Sequence, residues 1–197
     1  MKKQAPPIPD DRPILPFENA QAWDAWLVQH GPVSTGIYMK IAKKDSGIPS
    51  INYTEALDIA LCYGWIDAIK KGFDDRYFLQ KFVPRTPRSI WSEVNKKKVQ
   101  QLIKAKLMRP AGLAAVKQAK ANGQWDRAYA PASTIAVPPD LEAALKKNKK
   151  AAAFFKTLKG SNRYAILHRL HSAKMAETRT RRLALFIGML ERGKTIH

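Results

Sequence analysis

Short helical and extended patterns of hydrophobic residues alternate in the first half of the chain. Trp23 and Trp26 lie on one face of a helix that we expect at residues 19–30. Asn52 and Glu55 have the spacing of a capping box, which predicts that a second, largely apolar helix starts there. Runs of β-branched and aromatic residues bounded by glycine and aspartate predict three strands, at residues 36–42, 65–70 and 76–83.

The second half of the chain has helical periodicity. Thr86 followed by Pro87 predicts a helix start, and a further helix is expected at residues 111–123. Residues 131–139 are rich in proline and small side chains, as is typical of a linker. Three more helical stretches follow it, at residues 140–147, 149–158 and 161–192, the last with a break near residues 172–177.

These patterns predict an α+β protein in which a small antiparallel sheet packed with helices is followed by an all-helical module. A chain of 197 residues is long enough to bury a core in such a domain. The predicted organisation is an extended proline-rich arm at residues 1–18, an α+β domain at 19–130, the linker at 131–139 and a basic helical module at 140–197.

Cysteine usage and the N-terminal pattern indicate the compartment. Cys62 is the single cysteine, which excludes an intramolecular disulfide and a cysteine-based zinc site. Lys2 and Lys3 are followed by a polar, proline-rich stretch rather than an apolar run, so neither a signal peptide nor a membrane span is predicted. We therefore expect a cytoplasmic protein, and no motif in the chain predicts a cofactor.

The net charge of +19 is unevenly distributed. Residues 1–72 are neutral overall, whereas residues 73–130 carry +9 and residues 131–197 carry +10. Such a distribution favours an anionic macromolecule or an acidic protein surface as the partner, with solubility as the alternative explanation. The candidate surface for an anion or a nucleic acid consists of Lys96, Lys97, Lys98, Lys146, Lys147, Lys149, Lys150, Arg181 and Arg182.

A candidate polar pocket is predicted near the end of the sheet. Asp67 shares a strand face with Trp65 and Ile69, and a buried carboxylate there would need a partner, for which Arg85 is suited. A structural ion pair and a catalytic acid or base both remain open, and turn chemistry is an alternative role for the serines. The members of the pocket are Asp67, Arg85, Ser89, Ser92 and Asn95.

Two further features lie in the basic module. Arg179 follows the same face of the last helix as Leu183 and Phe186, which predicts either a structural ion pair with an acidic residue or a side chain extended past the apolar stripe. His168 and His171 are one helical turn apart. No third ligand stands at a suitable spacing, so we predict no metal site.

Several strings in the chain resemble the YdeI/OmpD-associated family of bacteriocin-protection, OmdA-like proteins. The similarity follows the family order over roughly residues 19–192. The strings are YTEAL at 53–57, ALCYGWID at 60–67, FVPR at 82–85, SIWS at 89–92 with Asn95, WDRAY at 125–129 and ETRTRR at 177–182.

This resemblance implies a link to tolerance of bacteriocins or cationic antimicrobial peptides and an association with outer-membrane porins. It implies no catalytic residues that could be assigned to positions of this sequence. We therefore expect a non-enzymatic protein associated with stress or resistance. A basic nucleic-acid-binding protein and an enzyme with its pocket around Asp67 and Arg85 are the alternatives.

Overall fold

The computed structural model describes residues 11–173 and 175–196. These residues divide into two compact units, the first made of residues 11–91 and 95–127, the second of residues 92–94 and 128–196. The predicted α+β class is confirmed, because the first unit contains a four-stranded sheet with helices and the second unit is built from helices. The first ten residues of the predicted arm lie outside the described residues.

The sheet of the first unit has the strand order β1-β2-β4-β3. Its strands are β1 at Ile14–Pro16, β2 at Ile37–Ala42, β3 at Trp65–Gly72 and β4 at Tyr77–Pro84. The three predicted strands pair in the antiparallel sense, β2 with β4 and β4 with β3. β1, in contrast, runs parallel to β2, so the sheet is mixed rather than fully antiparallel. With three residues ending in Pro16, β1 is too short to show an alternating pattern.

Between residues 11 and 121 the chain forms four α-helices: α1 at Ala20–His30, α2 at Tyr53–Cys62, α3 at Glu93–Lys104 and α4 at Pro110–Ala121. Asn19 and Asn52 cap the first two helices. Asn19 Oδ1 accepts a hydrogen bond from the Ala22 N–H at 2.9 Å, and Asn52 forms the expected capping box with Glu55. Each cap satisfies an N–H group that the start of a helix leaves unpaired, which stabilises the helix by about 1 kcal/mol.

The helix start predicted at Thr86 and Pro87 is wrong. The Thr86 N–H donates to Ser89 Oγ at 2.9 Å, and the Ser89 N–H donates to the Thr86 carbonyl at 2.9 Å, so this segment closes a turn. α3 begins only at Glu93. A serine hydroxyl satisfies backbone N–H groups equally well in a turn and at a helix start, so the local pattern fits both structures.

The core of the first unit is aromatic and centres on Trp23. Its side chain is fully buried, and its indole N–H donates to the Ala56 carbonyl at 3.0 Å, which ties α1 to α2. Four rings surround it with centroids 5.0–6.2 Å away, in the tilted, edge-on or stacked arrangements favoured between aromatic side chains; they belong to Phe17, Trp26, Trp65 and Phe82.

The second unit contains α5 at Pro139–Lys147, α6 at Lys149–Thr157, α7 at Gly160–His171 and α8 at Ala176–Glu191. The predicted break near residues 172–177 is confirmed, because α7 ends and α8 begins inside that interval. The core of this unit is mainly aliphatic. Its buried side chains are Leu141, Ala151, Phe155, Leu158, Ile166, Leu167, Leu170, Phe186 and Leu190.

Candidate functional site

An apolar cleft of about 420 Å³ lies in the first unit. Three segments line it: the C-terminal end of α1, the junction of α2 with β3, and the N-terminal end of α4. Arg109 contributes the one charged side chain of the lining among the described residues. The apolar residues of the lining include Leu27, Val28, Pro32, Trp65, Pro110 and Ala111.

Two glycines bring these segments close together. Gly64 has a φ of +76°, which lets the chain turn from α2 into β3 in a conformation that other residues rarely adopt. At Gly112 a Cβ atom would overlap the carbonyl oxygen of Cys62, so only glycine allows the first turn of α4 to lie against the end of α2. The Arg109 N–H donates to that same carbonyl at 3.0 Å, which fixes Arg109 beside Tyr63.

Asp24, Tyr63 and Arg109 form a polar triad associated with the cleft. The Tyr63 hydroxyl donates to Asp24 Oδ1 at 2.8 Å, and Arg109 Nη2 lies 3.7 Å from Asp24 Oδ2. Asp24 is one helical turn before Leu27 and Val28, so the triad continues the face of α1 that lines the cleft. A polar group of this kind beside an apolar surface suits a ligand with one apolar part and one polar part.

Protonation in this region is set by burial and by Asp24. Burial, followed by the hydrogen bond to Asp24, raises the pKa of Tyr63 above its ordinary value, so its hydroxyl stays protonated and acts as a donor at neutral pH. Burial also raises the pKa of the Cys62 thiol to about 11. A thiol with so high a pKa is a poor nucleophile, so Cys62 serves packing rather than chemistry.

The predicted partners Asp67 and Arg85 make other contacts. Asp67 Oδ2 accepts a hydrogen bond from the Tyr53 hydroxyl at 2.8 Å. The Arg85 guanidinium stacks on the Trp91 ring at 3.6 Å and donates from Nη1 to the Ile90 carbonyl at 3.2 Å. The strand register explains the difference, because Asp67 lies opposite Phe82 and Arg85 is three residues further along, about 10 Å in an extended strand.

Ser89, Ser92 and Asn95 are the remaining members of the predicted pocket. Ser89 closes the turn with Thr86, and Asn95 is buried in the first unit. Ser92 belongs to the second unit, where it forms an isolated bridge with Tyr129. The cavity beside Arg85 and Ser89 measures about 10 Å³. Such a space holds about one water molecule, which leaves no room for a substrate.

Some side chains of the predicted basic surface contact other residues of the protein, and the others are exposed. Lys98 is half-buried and pairs with Asp58 at 2.5 Å, and Lys96 lies 5.6 Å from the centre of the Trp125 ring. Arg182 donates from Nη1 to the Arg169 carbonyl at 2.6 Å. The exposed members are Lys97, Lys146, Lys147, Lys149, Lys150 and Arg181.

Four of the exposed lysines form a compact group in the second unit, which we call the lysine corner: Lys146, Lys147, Lys149 and Lys150. The first pair ends α5 and the second pair begins α6, with Asn148 between them. Asn148 Oδ1 accepts a hydrogen bond from the N–H of buried Ala151 at 3.0 Å, which anchors the corner to the core. Because the start of a helix is already electropositive, the lysines that begin α6 concentrate positive charge there.

Arg179, predicted as one half of an ion pair, has Asp140 as its partner. Its Nε and Nη2 atoms donate to the two carboxylate oxygens at 2.6 and 2.8 Å, and Nη1 donates to the Leu170 carbonyl at 2.7 Å. The hydrogen bond from Arg179 is the main reason that the pKa of Asp140 is lowered. This bidentate pair joins α5, α7 and α8 within the second unit.

Family comparisons divide the chain much as the two units do. Residues 134–193 match the family described as bacteriocin-protection, YdeI or OmpD-associated, and residues 15–115, about half of the chain, match a domain of unknown function, DUF8412. The chain belongs to the DUF8412 family. The apolar cleft lies in this match, whereas the ion pair of Arg179 and the lysine corner lie in the shorter segment that is similar to the YdeI/OmpD-associated family.

No curated protein and no solved structure matches the chain. The two family matches assign no chemistry to individual residues of this chain. None of the described helices is long and apolar enough to cross a membrane. Among the described residues there is also no group of three or more histidine, cysteine or carboxylate side chains placed to hold a metal ion.

Sequence reasoning missed the triad of Asp24, Tyr63 and Arg109. These residues are 39 and 46 positions apart in sequence, so no local spacing connects them. The one available signal was indirect. Asp24 lies between two tryptophans that pack in the core, where a carboxylate at the edge of an apolar helix face needs polar neighbours.

Proposed function

We propose that the protein is a non-enzymatic factor in tolerance of bacteriocins or cationic antimicrobial peptides, and that it acts in the cytoplasm by binding the phosphate groups of nucleic acid. The family match supports the biological setting. The lysine corner is the observation that supports the mode of action, because it places four exposed ammonium groups within five consecutive residues.

The physical basis of the proposed binding is phosphate neutralisation. Lysines that contact phosphates release condensed counterions, so binding needs no base recognition and weakens steeply with salt. The corner also contains the start of α6, whose first turn has no acidic side chain. Backbone N–H groups at such a position add to the attraction for a phosphate. A cationic peptide is attracted to the same phosphates, so a protein that occupies them competes with the peptide directly.

Fluorescence anisotropy with labelled single- and double-stranded oligonucleotides, repeated over a series of salt concentrations, tests the proposal. We expect log affinity to fall linearly with log salt. Changing all four corner lysines to glutamate should reduce that slope by up to about 3.6 units on duplex DNA, because each of the four phosphate contacts contributes about 0.9. The wild-type protein should also displace a labelled cationic peptide from the same oligonucleotide.

A matched control separates the corner from total charge. Glutamate at the exposed Lys44, Lys104, Lys117 and Lys159 produces the same change in net charge and leaves the four corner lysines in place. The proposal predicts that this control keeps most of the salt slope. Equal losses in the two variants would mean that only net charge matters. Binding to anionic lipid vesicles without binding to oligonucleotides would contradict the nucleic-acid proposal.

A further inference from the structure

We propose that the apolar cleft of the first unit binds a small amphipathic carboxylate, meaning a molecule with an apolar chain or ring and a single carboxylate group. The inference is independent of the proposed nucleic-acid binding, because the cleft and the lysine corner share no residue. It starts from the size of the cleft. A volume of about 420 Å³ falls in the range of roughly 300–1,000 Å³ that is typical of small-molecule sites.

The lining predicts the apolar part of the ligand. Trp65 is buried to 2% exposure and Leu27 is fully buried, so both are held in place by the core behind them. Val28 is 61% exposed, which is high for a large apolar side chain on a helix. A ligand that covers Val28 and contacts Trp65 would remove apolar surface from water, and this burial is the main source of affinity expected here.

Arg109 predicts the charge of the polar part. Its side chain is 54% exposed, and its 3.7 Å separation from Asp24 is too long for a hydrogen bond. Arg109 also hydrogen-bonds to Tyr63, which leaves the other N–H donors of the guanidinium for a ligand. Asp24 is not among the lining residues, and its Oδ1 atom accepts the hydrogen bond from the Tyr63 hydroxyl at 2.8 Å. The charged group that the lining presents to a ligand is therefore Arg109, and a guanidinium matches the planar geometry of a carboxylate.

The test compares octanoate with 1-octanol, which share an apolar chain and differ in charge. Both are titrated into the ¹⁵N-labelled full-length protein, and backbone amide shifts in two-dimensional NMR spectra report affinity and location. We expect shifts at α1, the α2–β3 junction and the start of α4. Octanoate should bind about tenfold more tightly than octanol, as a charge-assisted hydrogen bond predicts.

Three variants assign the effect. Arg109→Gln should lower the affinity for octanoate to that for octanol and leave octanol binding unchanged. Val28→Trp should fill the cleft and abolish binding of both ligands. Val33→Trp adds the same indole at a residue that is 82% exposed and outside the lining, so this control should bind both ligands like the wild type.

Three results would overturn the proposal. The first is the absence of shifts at the cleft with octanoate, and also with the aromatic carboxylate 1-naphthoate, at millimolar concentration. The second is equal affinity for octanoate and octanol with no effect of Arg109→Gln, which would remove the role of charge. The third is octanoate binding that survives Val28→Trp and shifts lysine amides instead, which would place the anion on the basic surface.

Discussion

Each unit of the chain contains an arginine–aspartate pair, and the two pairs have different geometry. In the second unit Arg179 donates two hydrogen bonds to Asp140, at 2.6 and 2.8 Å, and a third to the Leu170 carbonyl. In the first unit Arg109 approaches Asp24 only to 3.7 Å. The side chains of the tight pair are 30% and 33% exposed, and those of the loose pair 54% and 39%.

This comparison distinguishes a pair that stabilises the fold from a pair whose arginine can still bind a ligand. A bidentate contact that also satisfies a backbone carbonyl uses most of the donors of an arginine and joins the helices that carry it. A loosely held arginine beside an apolar cleft keeps donors for a ligand and contributes little to stability. Residue types alone do not distinguish these roles. Distances and the number of partners do.

The largest effect is expected in the aromatic core that supports the cleft. Trp23→Ala should destabilise the first unit by about 3–5 kcal/mol, because the buried indole contacts four other rings and its loss leaves a cavity. Urea unfolding followed by circular dichroism measures this change. Trp23→Phe keeps most ring contacts and loses the hydrogen bond to Ala56, so its cost should be smaller. A cost below about 1 kcal/mol for Trp23→Ala would show that other residues hold the cleft wall.

Removal of each arginine tests the comparison directly. Arg179→Met should destabilise the second unit by about 1–3 kcal/mol, since Asp140 and the Leu170 carbonyl both lose a charged donor. Arg109→Met should leave the free energy of unfolding close to that of the wild type, because an exposed pair at that distance is weak. Urea unfolding at pH 7 gives both values. Arg179→Lys should not restore stability, because lysine lacks the bidentate geometry. An equal loss of stability in the two methionine variants would contradict the distinction between the structural pair in the second unit and the loose pair in the first.

Local sequence signals predicted much of the fold, because they connect residues that are only a few positions apart. The capping box of Asn52 and Glu55 uses residues three positions apart, so spacing alone identified the start of α2. Periodicity also predicted α1, the antiparallel strands and the break between α7 and α8. Thr86 shows the limit of such signals, since a hydroxyl three residues away closed a turn instead of starting a helix.

The candidate site was beyond this kind of reasoning. Asp24, Tyr63 and Arg109 come from three separate elements, and they meet because Gly64 and Gly112 permit a close backbone approach. The pairing of Asp67 with Arg85 was predicted because both residues are close in sequence to the same pair of strands. The observed register places Asp67 opposite Phe82 instead. Contacts between distant elements depend on packing, which single-sequence patterns do not encode.

The smallest expected effect is the pH dependence of stability caused by His168. Measuring it tests whether the folded second unit disfavours a charged side chain that has no acidic partner. The ring of His168 packs against Tyr129 at 4.6 Å and Tyr164 at 5.5 Å. Burial lowers its pKa below the ordinary value of 6.5, and the positive charges of His171, Arg169 and Arg182 act in the same direction. The folded protein therefore favours the neutral ring, whereas the unfolded chain binds a proton near pH 6.5.

The sign of the pH dependence follows from this difference. Above pH 6.5 the ring is neutral in both states and costs nothing. As the pH falls below 6.5 the unfolded chain takes up the proton first, so the stability of the second unit decreases until the pH is below the folded pKa. Urea unfolding at pH 7.5 and 5.5 should show this loss in the wild type and a smaller loss in His168→Phe, which keeps an aromatic ring between the two tyrosines. His171→Phe, one turn further along α7, should retain most of the dependence, because burial rather than the charge of His171 is the main cause of the lowered pKa of His168. If His168→Phe retains it as well, another group governs the response. That result would mean that the folded second unit accepts a protonated His168 without an acidic partner, whereas Arg179 has Asp140 as its partner.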